Sequence, residues 1–225
     1  MQRASQLFTD EQRRRIDQAV VDAEAKTSAE IVPVVATASG RYDRAEDVVG
    51  LWLAIVTAVV LWIWLPRPGY EAGSWSGCPV MWQIVGLPAG MVAAFVLGAV
   101  MGSKIGWLRR LFTPQREMRE EVSRRAREVF FDNRIHHTAG ATGLLLYVSL
   151  FEHMAAVIAD QNVLEKLGQP AVDELCAELT NGLHAGHPTD AFCDALASAG
   201  RRLGGVLPRA EDDANELADA LIALD

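Results

Sequence analysis

Apolar and polar positions follow several distinct patterns along this chain. Between Thr9 and Lys26 the apolar residues Ile16, Ala19, Val20 and Ala23 recur at helical spacing, and Thr9 followed by Gln12 forms a capping box that opens the helix. Thr27 and Ser28 break it. Glu30 to Thr37, EIVPVVAT, reads as a strand; Pro33 has no N–H to give a ladder, which predicts an edge position or a bulge. Two long uncharged runs follow. Thr113-Pro114 then starts a helix with Met118, Val122, Ala126, Val129 and Phe130 on one face, ending near Asp132. Gly143 to Ser149, GLLLYVS, is apolar without alternation and predicts a central strand buried on both faces. A turn over Leu150 to His153 leads to a strand from Met154 to Ala159, then to helices over Asn162 to Leu167, Pro170 to about Gly186 and Pro188 to Gly204. Ala210 to Asp225 has six acids and no base. Leu217, Leu221 and Leu224 give it one weak apolar face, so it reads as a short amphipathic helix or a frayed acidic tail.

The element order is thus α, β, two apolar runs, α, β, β, α, α, α. The first helix and strand cannot build a sheet alone. They must join the later elements, giving a split domain of residues 8–40 and 113–205, an insertion over 48–103, and an acidic C-terminal segment over 210–225.

Charge sharpens the reading of the insertion. Between Val48 and Ser103 the only charged residues are Arg67 and Glu71, while the other 48 fall in the remaining 169 positions, about 28%, an ordinary value for a soluble domain. Residues 48–65 and 80–103 are each long enough to cross a bilayer core. Trp62, Trp64, Trp75 and Trp82 gather around the connection, with Trp52 and Trp107 toward the other side, as in the aromatic belts of membrane proteins. Arg41 and Arg44 precede the first run, and Lys104, Arg109, Arg110, Arg116 and Arg119 follow the second, against Arg67 alone in the connection. That bias places both flanks, and both termini, on the cytoplasmic side of a multi-pass protein of the inner membrane, with lipid as a partner. Neither run holds an ionisable residue, which argues against an ion or proton pathway. Gly86, Gly90, Ala94, Gly98 and Gly102, with Gly50, Ala54 and Ala58 opposite, form small-residue stripes. They suit packing of the hairpin on itself or homo-oligomerisation through the same stripe. A net charge of −8 argues against nucleic acid as a partner. Cys78, Cys176 and Cys193 have no metal or redox spacing.

The helix ending in TSAEIVPVVA, the strand ATGLLLYVSL and the strand AAVIADQNV together resemble the TPM domain family, over nearly all of 8–40 and 113–205. The resemblance is to its bacterial membrane-bound branch, in which a transmembrane hairpin interrupts the domain. It implies an α/β fold, a three-layer α/β/α sandwich on a mixed sheet of roughly four strands. The functions described for its relatives are diverse. Plant relatives are described as acid phosphatases and photosystem-repair factors, an animal relative modulates a receptor channel, and bacterial relatives are encoded beside LemA-like membrane proteins. Better-known members carry a GDxGxDNG-like loop whose acids can hold calcium or magnesium. Here that loop is IHHTAGATG, Ile135 to Gly143, without an acid. Hard cations need several oxygen ligands, so no cofactor is expected.

Candidate chemistry is sparse. Asp160, at the end of a strand, is either a catalytic carboxylate or the N-cap of the helix that follows. Glu30 matches the family's glutamate; it serves chemistry, faces solvent, or pairs with Arg134. His136 and His137 point oppositely on an extended backbone, and His137 could supply one imidazole. His184 and His187 flank a helix end and suit its dipole. No nucleophile motif, phosphate loop or metal-binding signature occurs. The expectation is therefore a membrane-anchored interaction or assembly module with a LemA-like membrane protein as a candidate partner. The alternative is a phosphatase that uses Asp160, Glu30 and His137 on a phosphomonoester.

Overall fold

A computed structural model describes residues 3–42, 44–64, 81–105, 110–138, 140–210 and 215–225. The chain divides into two compact units, one of residues 1–40 with 116–225 and one of residues 41–115.

The first unit is a mixed sheet between helices. Helix α1 (Asp10–Glu24) opens on the predicted capping box: Gln12 N–H donates to Thr9 Oγ1 at 3.3 Å and Thr9 N–H to Gln12 Oε1 at 2.9 Å. Strand β1 (Ile31–Ala36) pairs in parallel with β2 (Leu144–Ser149), from Ile31 opposite Leu144 to Ala36 opposite Ser149. Strand β3 (Met154–Ala159) runs antiparallel to β2. The parallel step from β1 to β2 is crossed by the insertion and by a helix of residues Gln115–Asp132, which we number α4. After β3 come α5 (Gln161–Leu167), α6 (Gln169–His184) and α7 (Pro188–Val206).

Side chains divide the sheet into two faces by strand alternation. Ile31, Val35, Leu144, Leu146 and Val148 pack with Ile16 and Val20 of α1, Leu175 and Leu179 of α6, and Phe192, Leu196 and Leu203 of α7. Val32, Val34, Leu145 and Tyr147 meet Val122, Ala126, Val129 and Phe130 of α4. The result is an α/β/α sandwich. All six residues of β2 are buried, as its uninterrupted apolar run requires. Each leucine fully withdrawn from water there contributes about 1.5–3 kcal/mol.

Two sequence expectations change. The C-terminal segment is neither helix nor frayed tail. Residues Ile222–Leu224 form β4, which adds in parallel to β1 opposite Val34 to Ala36 and completes the order β3-β2-β1-β4. Helical spacing of Leu217, Leu221 and Leu224 misled because a three-residue strand is too short to show its own period. Strand β1 is consequently internal rather than an edge. Leu144 N–H donates to Glu30 O and Leu150 N–H to Ala36 O, so even-numbered residues of β1 turn their backbone groups toward β2. Pro33 therefore turns its missing donor toward β4, one residue before pairing with β4 begins at Val34.

The second unit holds α2 (Arg44–Trp64) and α3 (Met81–Lys104). They pack antiparallel along the small-residue stripes. A Cβ added at Gly98 would lie 2.8 Å from the Gly50 Cα, one at Gly50 would lie 2.9 Å from the Phe95 carbonyl oxygen, and one at Gly90 would meet Leu61. Ala54 and Ala94 are buried. The stripe expected to serve either hairpin packing or self-association is thus occupied within one chain, apart from Gly86, which faces open space. Glu46–Trp64 and Ile84–Lys104 are long and apolar enough to cross a membrane, and only 11% of each apolar window is buried. Leu51, Trp52, Val59, Ile63, Val92 and Leu97 all point outward. A pair of core helices in a water-soluble protein would bury such residues. The expected connection with Arg67, Trp75 and Cys78, and the positions Trp107 and Arg109, lie outside the described residues.

Candidate functional site

A polar cavity of about 120 Å³ sits where β1 begins, and the C-terminal segment closes one wall of it. Glu24, the last residue of α1, Glu30, just before β1, and Asp219 all line it, with Arg209 and Asn215. Local rules place the first two. The helix ends after Glu24, and a tight turn through Thr27, whose hydroxyl donates to the Leu207 carbonyl at 2.7 Å, brings the chain back to Glu30. Glu24 Oε1 accepts the Ile31 N–H at 2.8 Å, so the end of the helix also caps the start of the strand.

Glu30 is only 7% exposed. Its Oε1 accepts the Glu216 N–H at 3.1 Å, and its Oε2 is buried without a hydrogen-bond partner among the described residues. Burial raises its carboxyl above the usual range, and nearby Asp219 and Glu216 add to this, against the Glu216 and Leu217 N–H groups that favour the charged form. The effect is larger at Glu24. Burial first, then the charges of Glu30 and Asp219 and a hydrogen bond to the Asp219 side chain, push its carboxyl from 4.5 up to about 8, against the pull of the Ile31 N–H. Glu24 therefore keeps its proton near neutral pH, hydrogen-bonded to the Asp219 side chain. Chemically, the site can hold and release that proton. Among the described residues no group of three His, Cys, Asp or Glu side chains is arranged to hold a metal ion.

The three residues singled out in the sequence come to the same end of the sheet but keep separate company. Leu144 N–H donates to Glu30 O, and Asp160 N–H to Gly143 O, so Glu30 and Asp160 flank the Gly143–Leu144 step. Two strand spacings, about 10 Å, separate their backbones. Gly143 between them backs onto the Ile135 carbonyl, where an added Cβ would come within 2.1 Å. Asp160 is the N-cap of α5: its Oδ1 accepts the Gln161 N–H at 2.8 Å, while Oδ2 is buried without a partner among the described residues. Arg134 has a left-handed backbone, φ 55°, and turns the chain into a 3-10 helix over Ile135–His137. His136 and His137 therefore do not sit on extended backbone with rings opposed. Their rings stack 6.1 Å apart at 29°, and His136 lies 4.8 Å from the Phe131 ring. Both are exposed.

Two other features escaped the sequence. Glu152, 1% exposed, accepts N–H groups from Ser39 at 2.9 Å and Gly40 at 3.3 Å and the hydroxyl of Ser149; Ser39 Oγ in turn meets Tyr147 OH at 2.9 Å. This buried carboxylate pins the chain where it leaves β1 toward the insertion. An apolar cavity of about 210 Å³ lies beyond the β2–β3 turn, with His153 and His184 in its wall. The only local signal for any of this is the acid count of the C-terminal segment. Glu24 meets Asp219 across 195 positions of sequence.

No protein-family model and no curated protein matches the sequence. One solved structure does: the NMR structure of the BA42 protein from the psychrophilic bacterium Bizionia argentinensis. The likeness has a TM-score of 0.55 at 16% identity, covering 96% of this chain and 94% of that one. At this identity the likeness speaks for the fold.

Proposed function

We propose that this protein is a membrane-anchored relative of the TPM domain family, and that its split α/β/α domain binds a protein partner at the cytoplasmic face of the inner membrane. The observation that carries the reading is the inserted helix pair. Its inner surfaces are spent on each other at Gly50, Gly90 and Gly98, while its outer surfaces are apolar and exposed. Large contiguous apolar surfaces of this kind need lipid or protein to cover them. The basic bias of the flanking residues supports cytoplasmic termini. The likeness to the BA42 fold and the three sequence segments of the resemblance support the family. At the head of the sheet one oxygen each of Glu24, Glu30 and Asp160 accepts a backbone N–H, a structural use that suits a binding scaffold. A LemA-like membrane protein is the partner that the resemblance suggests.

The test is purification from crosslinked native membranes in mild detergent. The reading expects a defined complex with a membrane protein, seen again when the tag is moved to that partner. A monomeric mass with nothing attached would overturn it, as would turnover of a phosphomonoester that Asp160→Ala abolishes.

A further inference from the structure

The C-terminal segment is held by the β1–β4 ladder, by Leu217, Leu221, Ile222 and Leu224 packed against the core, and by a set of carboxylates. Strand β4 contributes three residues, all half-buried. Before it, Leu221 N–H donates to Asp17 Oδ1 at 2.8 Å, Glu216 N–H donates to Glu30 Oε1 at 3.1 Å, and Asp219 hydrogen-bonds with Glu24. Beyond it, Asp225 accepts from the Ser5 hydroxyl at 2.6 Å and from the Thr37 hydroxyl at 3.0 Å. The groups that face the Glu24–Asp219 contact are Glu30 at the head of β1 and Arg209, Asn215 and Glu216 on the segment side; Asp17 lies on α1 at Leu221, and Arg3 lies near Asp225. Among the described residues acids outnumber bases around the cavity, and one Glu30 oxygen has no hydrogen-bond partner there.

We propose that residues 215–225 form a proton-controlled latch over the open side of β1, and that its grip loosens when Glu24, gathered with Glu30 and Asp219 around one cavity, becomes charged. With the proton in place, Glu24 and Asp219 are joined by a hydrogen bond across the cavity. Without it, Glu24 at the end of α1, Glu30 at the head of β1 and Asp219 on the segment crowd carboxylates around one small cavity that Arg209 also lines. Release frees β4 and uncovers the outward backbone groups of β1, among them the Thr37 N–H that now donates to Leu224 O at 2.8 Å. The sheet then has three strands. The latch does not depend on the membrane reading.

The size of the effect follows from linkage. A carboxyl held at about 8 in the closed form and at 4.5 in the open form weakens closure by at most about 90-fold between about pH 6 and about pH 9. Partial exposure of Glu24 reduces this to about tenfold.

Hydrogen exchange on the full-length protein in nanodiscs tests it, with protection factors corrected for the intrinsic pH dependence. Protection of the Thr37 amide is expected to drop about tenfold from about pH 6 to about pH 9. The Leu144 amide, bonded across the β1–β2 ladder, holds. Glu24→Gln keeps an acceptor for Ile31 and gains a permanent donor for Asp219, so it removes the drop. Asp219→Asn does the same from the segment side and serves if the first variant does not fold. Thr37 protection that stays level with pH in the native chain overturns the latch, and so does a drop that survives the substitution.

Discussion

Replacing Gly98 by alanine tests the packing of the inserted helix pair, because the structure fixes what the new methyl would meet. An added Cβ lies 2.8 Å from the Gly50 Cα, 3.0 Å from the Val49 carbonyl oxygen and 3.1 Å from the Gly50 nitrogen. Carbon–carbon contacts are comfortable near 3.5–4.0 Å. The obstacle is backbone, so no rotamer change relieves it; the two helices must part by about 0.7–1 Å along this seam. That separation forfeits a quarter to a half of the dispersion well at each seam contact, which puts the cost at about 1–3 kcal/mol, typical of overpacking. Gly86 lies on the same helix three turns away, where an added Cβ meets nothing within 4 Å, so Gly86→Ala is the matched control and stays within about 0.5 kcal/mol. Unfolding in a graded SDS/mild-detergent series, followed by the fluorescence of the tryptophans in this region, reads both. Equal stability of the two variants would refute the seam. A larger loss at Gly86 would do so too, and would assign the stripe to contact between chains.

Other outcomes follow from the α/β/α unit. Glu152→Ala removes the acceptor of the half-buried Ser39 and Gly40 N–H groups and of the buried Ser149 hydroxyl; a loss of about 1–3 kcal/mol in urea unfolding is expected. Gly143→Ala drives a methyl to 2.1 Å from the Ile135 carbonyl oxygen, so it should destabilise by more than about 3 kcal/mol and show loss of the 135–143 loop shifts in NMR spectra. The raised Glu24 carboxyl carries a signed pH dependence. The folded chain holds that proton more tightly than the unfolded chain, so its contribution is full below 4.5, falls as pH rises and is gone above about 8. Urea midpoints of the native chain minus those of Glu24→Gln, measured across that window, should decline with pH; a flat or rising difference would contradict the assignment.

Much of the fold was legible because it is written locally. The Thr9–Gln12 box, the Met118–Phe130 stripe and the run LLLYVS each carry their own signal of period or cap, and each forms the element expected. What was missed is specified at long range. Strand β4 exists because Val34 to Ala36 offer a ladder 188 residues away, and no window of its own sequence shows it. The acid cavity is likewise built by residues from both ends of the chain. Among the residues chosen for chemistry, Asp160 behaves as its capping position implied, and Glu30 proves more buried than a residue at the head of a strand would suggest. The histidine pair was misjudged because Arg134 takes a left-handed backbone, which a sequence without glycine at that position does not announce.

The central claim is that the inserted helix pair crosses a membrane with its connection outside and the split domain inside. Labelling by a membrane-impermeant maleimide tests it directly, using a chain whose Cys176 and Cys193 are replaced by alanine. Cys78, in the connection, is expected to react in intact cells. A second chain, with Cys78 also removed and Glu165→Cys introduced on the exposed side of α5, is expected to react only after the membrane is opened. Recovery of the protein in the soluble fraction, or reaction at position 165 but not at Cys78 in intact cells, would contradict the account.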